Sequence, residues 1–388
     1  MFFINNWKNY VKIFFERADI FLLVICLVCA CISVYAVRHT TASMQAAEVA
    51  GISSVKMTAV QVFSVFLGIG AFALFSVIDP ELLGRQWRIM LLLIGALLVA
   101  LMIFGQDDGT GNKSWIRFLG IGIQPSEIIK IIYIVIAAHQ MSELRASSDI
   151  STPWSVLQML SLLGIVFIGL MIVSSDLGNA VILVAIFAVM FFFLGVRLYW
   201  FAIGAAGIAA MIPLLWRYVL KDYQKQRLLA PYDESIDPTG WDKRWQTVQS
   251  KATLASGRLT GVEEGHNTTI FTGKHTDFIF SSIGEMWGMI GTLIVIALLA
   301  VIIIHCFRRG LHATNTYDML LCTGIGAAIA FQTFINIGMC IGITPVIGIA
   351  LPFFSYGGSS MVTLFAAMGL VSGVKFKLKP QHFTLAYT

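Results

Sequence analysis

The sequence predicts an all-α, polytopic membrane protein of about ten transmembrane helices with both termini cytoplasmic and one long extracytoplasmic loop. Three observations predict it. The 388 residues are 57% hydrophobic and only 12% charged, with a mean hydropathy of +0.82, whereas a soluble domain carries about 25% charged residues. Apolar runs near the length of a bilayer-crossing helix recur along the chain. The basic residues fall at alternate ends of those runs.

The first run, 20–37, follows Lys8, Lys12 and Arg17. A basic segment before an apolar run resembles a signal peptide, but this run is long and no A-x-A-like site follows it, so it reads as a retained span. Runs 57–78 and 89–104 are separated by Arg85 and Arg88. Run 128–141, with its flank, is followed by Arg145, and run 156–173 by the tight hairpin Ser174-Ser175-Asp176-Leu177-Gly178. Run 177–196 leads to Arg197 and then to run 199–215. Beyond a long polar connection come 283–306, Arg308 and Arg309, then 317–340. Run 347–374 is followed by Lys375, Lys377 and Lys379. An even number of spans places all these cations on one side, which the positive-inside rule makes cytoplasmic. The net charge of +5 is then a topology signal rather than a nucleic-acid footprint.

The six cysteines lie within or beside apolar runs. Cys26-x-x-Cys29 has redox or zinc spacing, but small packing residues inside a span account for it. No metal-spaced His/Cys cluster occurs, and no internal repeat of the kind that marks many secondary transporters.

The whole chain, 1–388, reads as a single transmembrane domain in which 219–280 forms the large extracytoplasmic loop. That loop contains Tyr223, Tyr232, Trp241, Trp245 and the patterned WQTVQSKATL, and long loops are usually functional or disordered. A shorter loop, 105–127, lies on the same side. So do the Ser174–Gly178 hairpin and the turn IGITPVIGI that precedes LPFFSYGGSS. Polar residues therefore gather at one face of the membrane.

Several of them have functional residue types. Glu127 and Lys130, three apart, share a face at the start of the fourth span, where Pro125 suits a first turn. They read either as an interfacial ion pair or as a functional intramembrane pair. In Lys274-His275-Thr276-Asp277, Asp277 is either a helix cap or a working carboxylate. On a continuous helix Glu285 would stand about 80° from it. Gln332 and Asn336, one turn apart, suit interhelical hydrogen bonding. Ser355-Tyr356-Gly357-Gly358-Ser359-Ser360 falls within the tenth predicted span, where its glycines either break the helix or, as the preferred reading, allow close packing. Arg227 offers a planar fork for a phosphate or an interface anchor.

Four stretches carry a family resemblance. GNKSWIRFLGIGIQPSEIIK looks like G-x-x-x-W-I-x-L-G…Q-P-S-E-x-x-K, with one extra residue before Leu119-Gly120. YQKQRLLAPYDESIDPTGW matches Y-Q-x-x-R…D-P-x-G. KHTDFIFSSIGEMWGMIG matches H-T-D-F-I-F…G-E-x-x-G-x-x-G. NIGMCIGITPVIGIALPFFSYGGSSM matches N-I-G-M…P-x-x-G-x-x-L-P-x-x-S-Y-G-G-S. On these the chain resembles the SEDS proteins (shape, elongation, division and sporulation), the RodA branch more than the FtsW branch.

The resemblance implies a peptidoglycan glycosyltransferase of the bacterial cytoplasmic membrane. It would polymerise lipid II, an undecaprenyl-diphosphate-linked disaccharide pentapeptide, for cell elongation, beside a class B penicillin-binding protein. Asp277 matches the family's essential aspartate, Glu127 and Lys130 its central-cavity pair, and Arg227 its loop cation. Lys113, Trp115, Gln124, Asp176, His275, Thr276, Asn336, Ser355, Tyr356 and Ser359 fall on the same motifs and are expected at the substrate. The residue types suit the reaction: a carboxylate takes a hydroxyl proton. Cations, from side chains or from Mg2+ or Mn2+, meet charge on the leaving diphosphate. Two other roles fit the same features, a lipid II flippase and a non-catalytic scaffold for the transpeptidase.

The chain departs from the family pattern in three places. Phe271-Thr272-Gly273 stands where Leu-Pro-Glu is common, Ser174-Ser175 replaces Gln-Pro before Asp176-Leu177-Gly178, and ASGRLTGVEEG, with Glu263 and Glu264, replaces a glycine- and lysine-rich stretch.

Overall fold

The computed structural model describes residues 18–49, 53–106, 113–118, 121–220, 222–242, 244–262 and 269–374. Glu263 and Glu264 lie outside them. Helices carry nearly all of the regular structure, as the apolar runs require.

Helix α1 (Ile20–Ala46) is capped by Asp19, whose carboxylate accepts the Leu22 N–H at 3.2 Å. The same carboxylate pairs with Arg309 and lies 2.9 Å from His305 Nε2, pinning the start of α1 to the basic end of a later helix. Cys26 and Cys29 sit on the buried seam of α1 with Leu22, Ala30 and Ser33.

Helices α2 (Ser54–Val77), α3 (Pro80–Arg85) and α4 (Trp87–Phe104) follow. A two-stranded hairpin, β1 (Ile116–Phe118) and β2 (Ile121–Ile123), pairs antiparallel with Ile116 opposite Ile123. Then come α5 (Pro125–Ser147), α6 (Pro153–Val173), α7 (Leu177–Leu194) and α8 (Tyr199–Leu214), which runs into a π-helical turn, Leu215–Val219. The long connection holds α9 (Asp222–Leu229) and α10 (Trp245–Ser256). The chain closes with α11 (Ile279–Leu311), α12 (Thr316–Ile341) and α13 (Gly358–Gly373).

Among the described residues, eight helices are long and apolar enough to cross a membrane: α1, α2, α4, α6, α7, α8 with its π turn, α11 and α12. The other two predicted spans correspond to α5, which bears Glu127 and Lys130, and to α13, which has only 16 residues. Helices α5 and α12 are buried along most of their length and form the centre of the bundle, against α7. Helix α8 buries none of its side chains, as a lipid-facing peripheral helix does. Small residues let α2 and α13 close up: a Cβ on Gly369 would meet the Phe72 carbonyl oxygen at 2.7 Å.

The structure corrects one expectation. Residues 344–357 are not helical; helix α13 begins only at Gly358, with Gly357 at its N-cap. The Ser355-Tyr356-Gly357 stretch therefore belongs to a buried re-entrant segment, and its first glycine ends that segment rather than packing a span. Irregular backbone at this depth is tolerated where protein surrounds it, and Leu351, Phe353 and Phe354 are all buried. Helix α11 is broken at Gly288 (φ 63°, ψ −158°). Residues 257–262 of the long connection fill the break. Met289 N–H donates to the Arg258 carbonyl (2.9 Å), Ile290 N–H to Leu259 (3.2 Å), and Val262 N–H to Glu285 (2.9 Å). Gly257 is needed there, because its Cβ would fall 1.8 Å from the Gly284 oxygen.

Candidate active site

Two polar clusters lie at the end of the bundle that carries the long connection. The first forms where α5 and α7 begin. Pro125 occupies the first turn of α5, so Glu127 and Lys130 project from one face. Lys130 Nζ donates to Glu127 Oε1 at 2.8 Å and to Asn179 Oδ1 at 3.1 Å, with the lysine and glutamate side chains 2% and 5% exposed. Asp176 caps α7, accepting the Asn179 N–H at 3.0 Å and its Nδ2 at 2.9 Å; that Nδ2 also donates to Ser126 Oγ at 3.1 Å. Gln332 of α12 donates to both Glu127 oxygens, at 3.2 and 3.4 Å. A buried ion pair persists only when its remaining donors and acceptors are met, and here the side-chain amides of Asn179 and Gln332 contribute.

The second cluster holds Asp277, which lies before α11 rather than capping it; the N-cap is Phe278, without a side-chain cap bond. Since Asp277 is outside the helix, the expected angle to Glu285 does not arise. Three successive carbonyls are held. Tyr356 N–H donates to the His275 carbonyl (3.1 Å), Ser355 Oγ to Thr276 (2.7 Å) and Asn336 Nδ2 to Asp277 (2.7 Å). Ser355 Oγ also accepts the Leu351 N–H at 2.7 Å. The turn bearing Asp277 is thus clamped by the re-entrant segment and by α12. Its half-buried carboxylate faces Gly348 (φ 73°), where an added Cβ would lie 3.7 Å from Asp277 Oδ2.

The His275 ring sits 5.7 Å from that of Tyr356 and its Nδ1 is buried without a hydrogen-bond partner. Burial pushes its pKa down to about 4, so it is neutral at pH 7. Beside it, Lys274 Nζ donates to Glu285 Oε2 at 2.5 Å and to the Thr269 carbonyl at 2.7 Å. Burial lowers the Lys274 pKa, and the Glu285 carboxylate opposes that shift.

The clusters share supports. Gln332 and Asn336, one turn apart on α12, reach Glu127 and the Asp277 carbonyl respectively. The Gln124 N–H donates to Ser359 Oγ at 3.0 Å, joining the starts of α5 and α13. A Cβ on Gly178 would meet the Ile347 oxygen at 3.0 Å, so α7 abuts the re-entrant segment. Of the residues expected from sequence, Glu127, Lys130, Asp176, Gln124, His275, Thr276, Asp277, Asn336, Ser355, Tyr356 and Ser359 fall in or between these clusters. Lys113 is exposed and Trp115 half-buried on the hairpin, where the Trp115 ring covers Gly122; among the described residues they stand outside both networks. Arg227 falls on α9, but its side chain lies outside the described residues.

Sequence reasoning missed Asn179, Gly348 and the Lys274–Glu285 pair. The Asp176-x-x-Asn179 spacing at a helix start is a readable signal. Gly348 and the Lys274–Glu285 pair depend on contacts across distant segments and leave no local signature.

The expected divalent cation finds no cradle among the described side chains. No group of three or more His, Cys, Asp or Glu residues is placed to hold one, and the carboxylates of Glu127 and Glu285 are each engaged by a lysine.

Among the described residues, eight membrane-length helices packed around charged, hydrogen-bonded clusters define a multi-pass membrane protein. The family described as "Cell cycle protein" (FtsW, RodA and SpoVE) matches residues 19–379, and the chain belongs to that family. It is 34% identical to "Peptidoglycan glycosyltransferase MrdB" of Escherichia coli K12 over 286 residues, 72% of this chain and 74% of that one. It is 30% identical over 374 residues to "Probable peptidoglycan glycosyltransferase FtsW" of Geobacter sulfurreducens, 94% and 96% of the two chains. The fold matches a chain in "Structural coordination of polymerization and crosslinking by a peptidoglycan synthase complex" with a TM-score of 0.74 at 22% identity, covering 92% of this chain and 97% of that one. It also matches the rod shape determining protein RodA of Thermus thermophilus with a TM-score of 0.63 at 22% identity, covering 92% and 96%.

Proposed function

We propose that this protein is a peptidoglycan glycosyltransferase that polymerises lipid II into glycan strands at the outer face of the bacterial cytoplasmic membrane. The names of its relatives support the reaction class. The observation that carries the reading is Asp277, a half-buried carboxylate whose backbone is fixed by Asn336 while its oxygen faces Gly348. A fixed backbone beside an open glycine leaves the carboxylate room to meet a sugar hydroxyl. It accepts that proton as the hydroxyl oxygen bonds to the anomeric carbon of the donor and the diphosphate departs with the bonding electron pair.

The remaining charges divide by location. Lys130 is 2% exposed and already committed to Glu127 and Asn179, so it contributes positive potential and shape beneath the site. Arg227, in the long connection, is the cation proposed for the leaving diphosphate. A substrate with a prenyl tail and a sugar head suits a site at the end of a helix bundle. The partner proposed is a class B penicillin-binding protein, by analogy with the complex whose fold matches.

The test is purified protein incubated with lipid II, comparing the parent with Asp277→Asn and Asp277→Ala. The expected outcome is glycan strands from the parent and none from either variant. Parental rates from both variants would remove Asp277 as the base. Transport of labelled lipid II by the parent in liposomes, with no polymer formed, would establish a flippase instead.

A further inference from the structure

We propose that Lys274 and Glu285 form a positioning pair that sets the height and orientation of the turn carrying Asp277; this rests on the reading of Asp277 as the base. The pair is buried, with side chains 2% and 7% exposed, and its atoms are 2.5 Å apart. The two residues are eleven positions apart in sequence, so they are not a helix-surface pair and their contact crosses from the turn to α11.

Lys274 is fixed at both ends. Its head group also donates to the Thr269 carbonyl at 2.7 Å, its own carbonyl accepts Ser282 Oγ at 3.1 Å, and its N–H reaches the Phe271 carbonyl at 3.4 Å. Asn336, Ser355 and Tyr356 hold the carbonyls of residues 275–277 from one side of the turn. The Lys274–Glu285 bond ties its beginning to α11. Glu285 lies one turn before the Gly288 break and accepts the Val262 N–H through its carbonyl at 2.9 Å. One residue therefore joins the candidate base, the broken helix and the long connection.

The chain has Phe271-Thr272-Gly273 before Lys274 and no acid there, and the carboxylate that partners the turn comes from α11. A charged pair in this place is directional. An apolar substitute of equal volume would fill the space without the directional bond between the lysine head group and α11.

The experiment compares Lys274→Met, Glu285→Gln, Lys274→Arg and the exchanged Lys274→Glu/Glu285→Lys protein. Thermal denaturation in detergent is measured first, and lipid II polymerisation is then expressed per folded molecule. Lys274→Met and Glu285→Gln are expected to lower kcat by roughly tenfold or more while KM for lipid II moves less than about twofold, because the loss falls on the reacting geometry and not on uniform binding. Lys274→Arg and the exchanged pair are expected to regain most of that rate. A merely structural role would lower the melting temperature and leave kcat per folded molecule unchanged, which overturns the proposal. Failure of both Lys274→Arg and the exchanged pair to recover rate also overturns it. If Lys274→Met does not fold, Glu285→Gln and the exchanged pair decide by the same criteria. Asp277→Asn is run in parallel. If it polymerises at the parental rate, the reading of Asp277 falls; if it is inactive while Lys274→Met is fully active, only the positioning role falls.

Discussion

The side-chain amide of Asn336 bridges two carbonyls, donating at 2.7 Å to Asp277 and at 2.7 Å to Ile349. One amide on α12 thereby ties the turn of the candidate base to the re-entrant segment opposite. Both of its N–H donors are used, so no other residue type of similar size can replace it; Asp at this position would set a carboxylate against two carbonyl oxygens.

Asn336→Ala is expected to remove both bonds and leave two buried carbonyls unmet, at about 1–3 kcal/mol each at most. Polymerisation should fall by more than the loss of folded protein explains. A lipid II assay normalised to folded protein checks this, with Asn336→Asp expected to be worse than Asn336→Ala.

Gly348→Ala places a methyl group 3.7 Å from Asp277 Oδ2 at a backbone angle of φ 73°. The left-handed conformation disfavours any Cβ by roughly 1–2 kcal/mol. Activity should drop with only a modest fall in thermal stability, and Gly348→Val should drop further than Gly348→Ala.

His275 supplies a pH dependence. Burial holds its pKa at about 4, below the ordinary value of 6.5, so the folded turn binds fewer protons than the unfolded one between those values. The stability contribution is present above pH 6.5, declines as pH falls from 6.5 toward 4, and levels off below 4. Thermal denaturation of the parent should show this decline, and His275→Gln should flatten it.

Lys130→Met leaves Glu127 as an uncompensated buried charge and is expected to destabilise by about 3–5 kcal/mol. Glu127→Gln in the same chain should recover part of that loss, since the remaining groups are then neutral. Chemical denaturation of the single and double variants provides the cycle.

Asp237 organises the long connection. Its carboxylate accepts the Arg244 N–H at 3.0 Å, the Asp242 N–H at 2.9 Å and the Gly240 N–H at 3.0 Å. Those bonds, that to Arg244 first, hold its pKa at about 2. Asp237→Ala is expected to open this turn and raise protease sensitivity between α9 and α10, while the helical content measured by circular dichroism stays unchanged.

Much of the fold was legible because lipid simplifies the code. Apolar runs announced the helices, and Pro125 announced the start of α5. The tenth run misled because Val346, Ile349, Leu351, Phe353 and Phe354 are apolar for burial inside the protein, and composition alone does not separate that from a lipid-facing helix. The break at Gly288 was hidden for a related reason: the amides it frees are met by residues 257–262, some thirty positions earlier. At the site, Glu127 with Lys130 was readable from helical spacing. The second role of Glu285, as the partner of Lys274, required two segments to be seen side by side.

The interrupted turn of α11 gives the long connection a status that its position between two spans conceals. Two amides and one carbonyl of α11 find their mates in residues 257–262. A chimera that swaps this stretch for a flexible spacer would strand those groups and deform the helix itself. Grafting between relatives must therefore carry both strips together, and any force applied to the connection from outside is delivered straight to the turn holding Glu285.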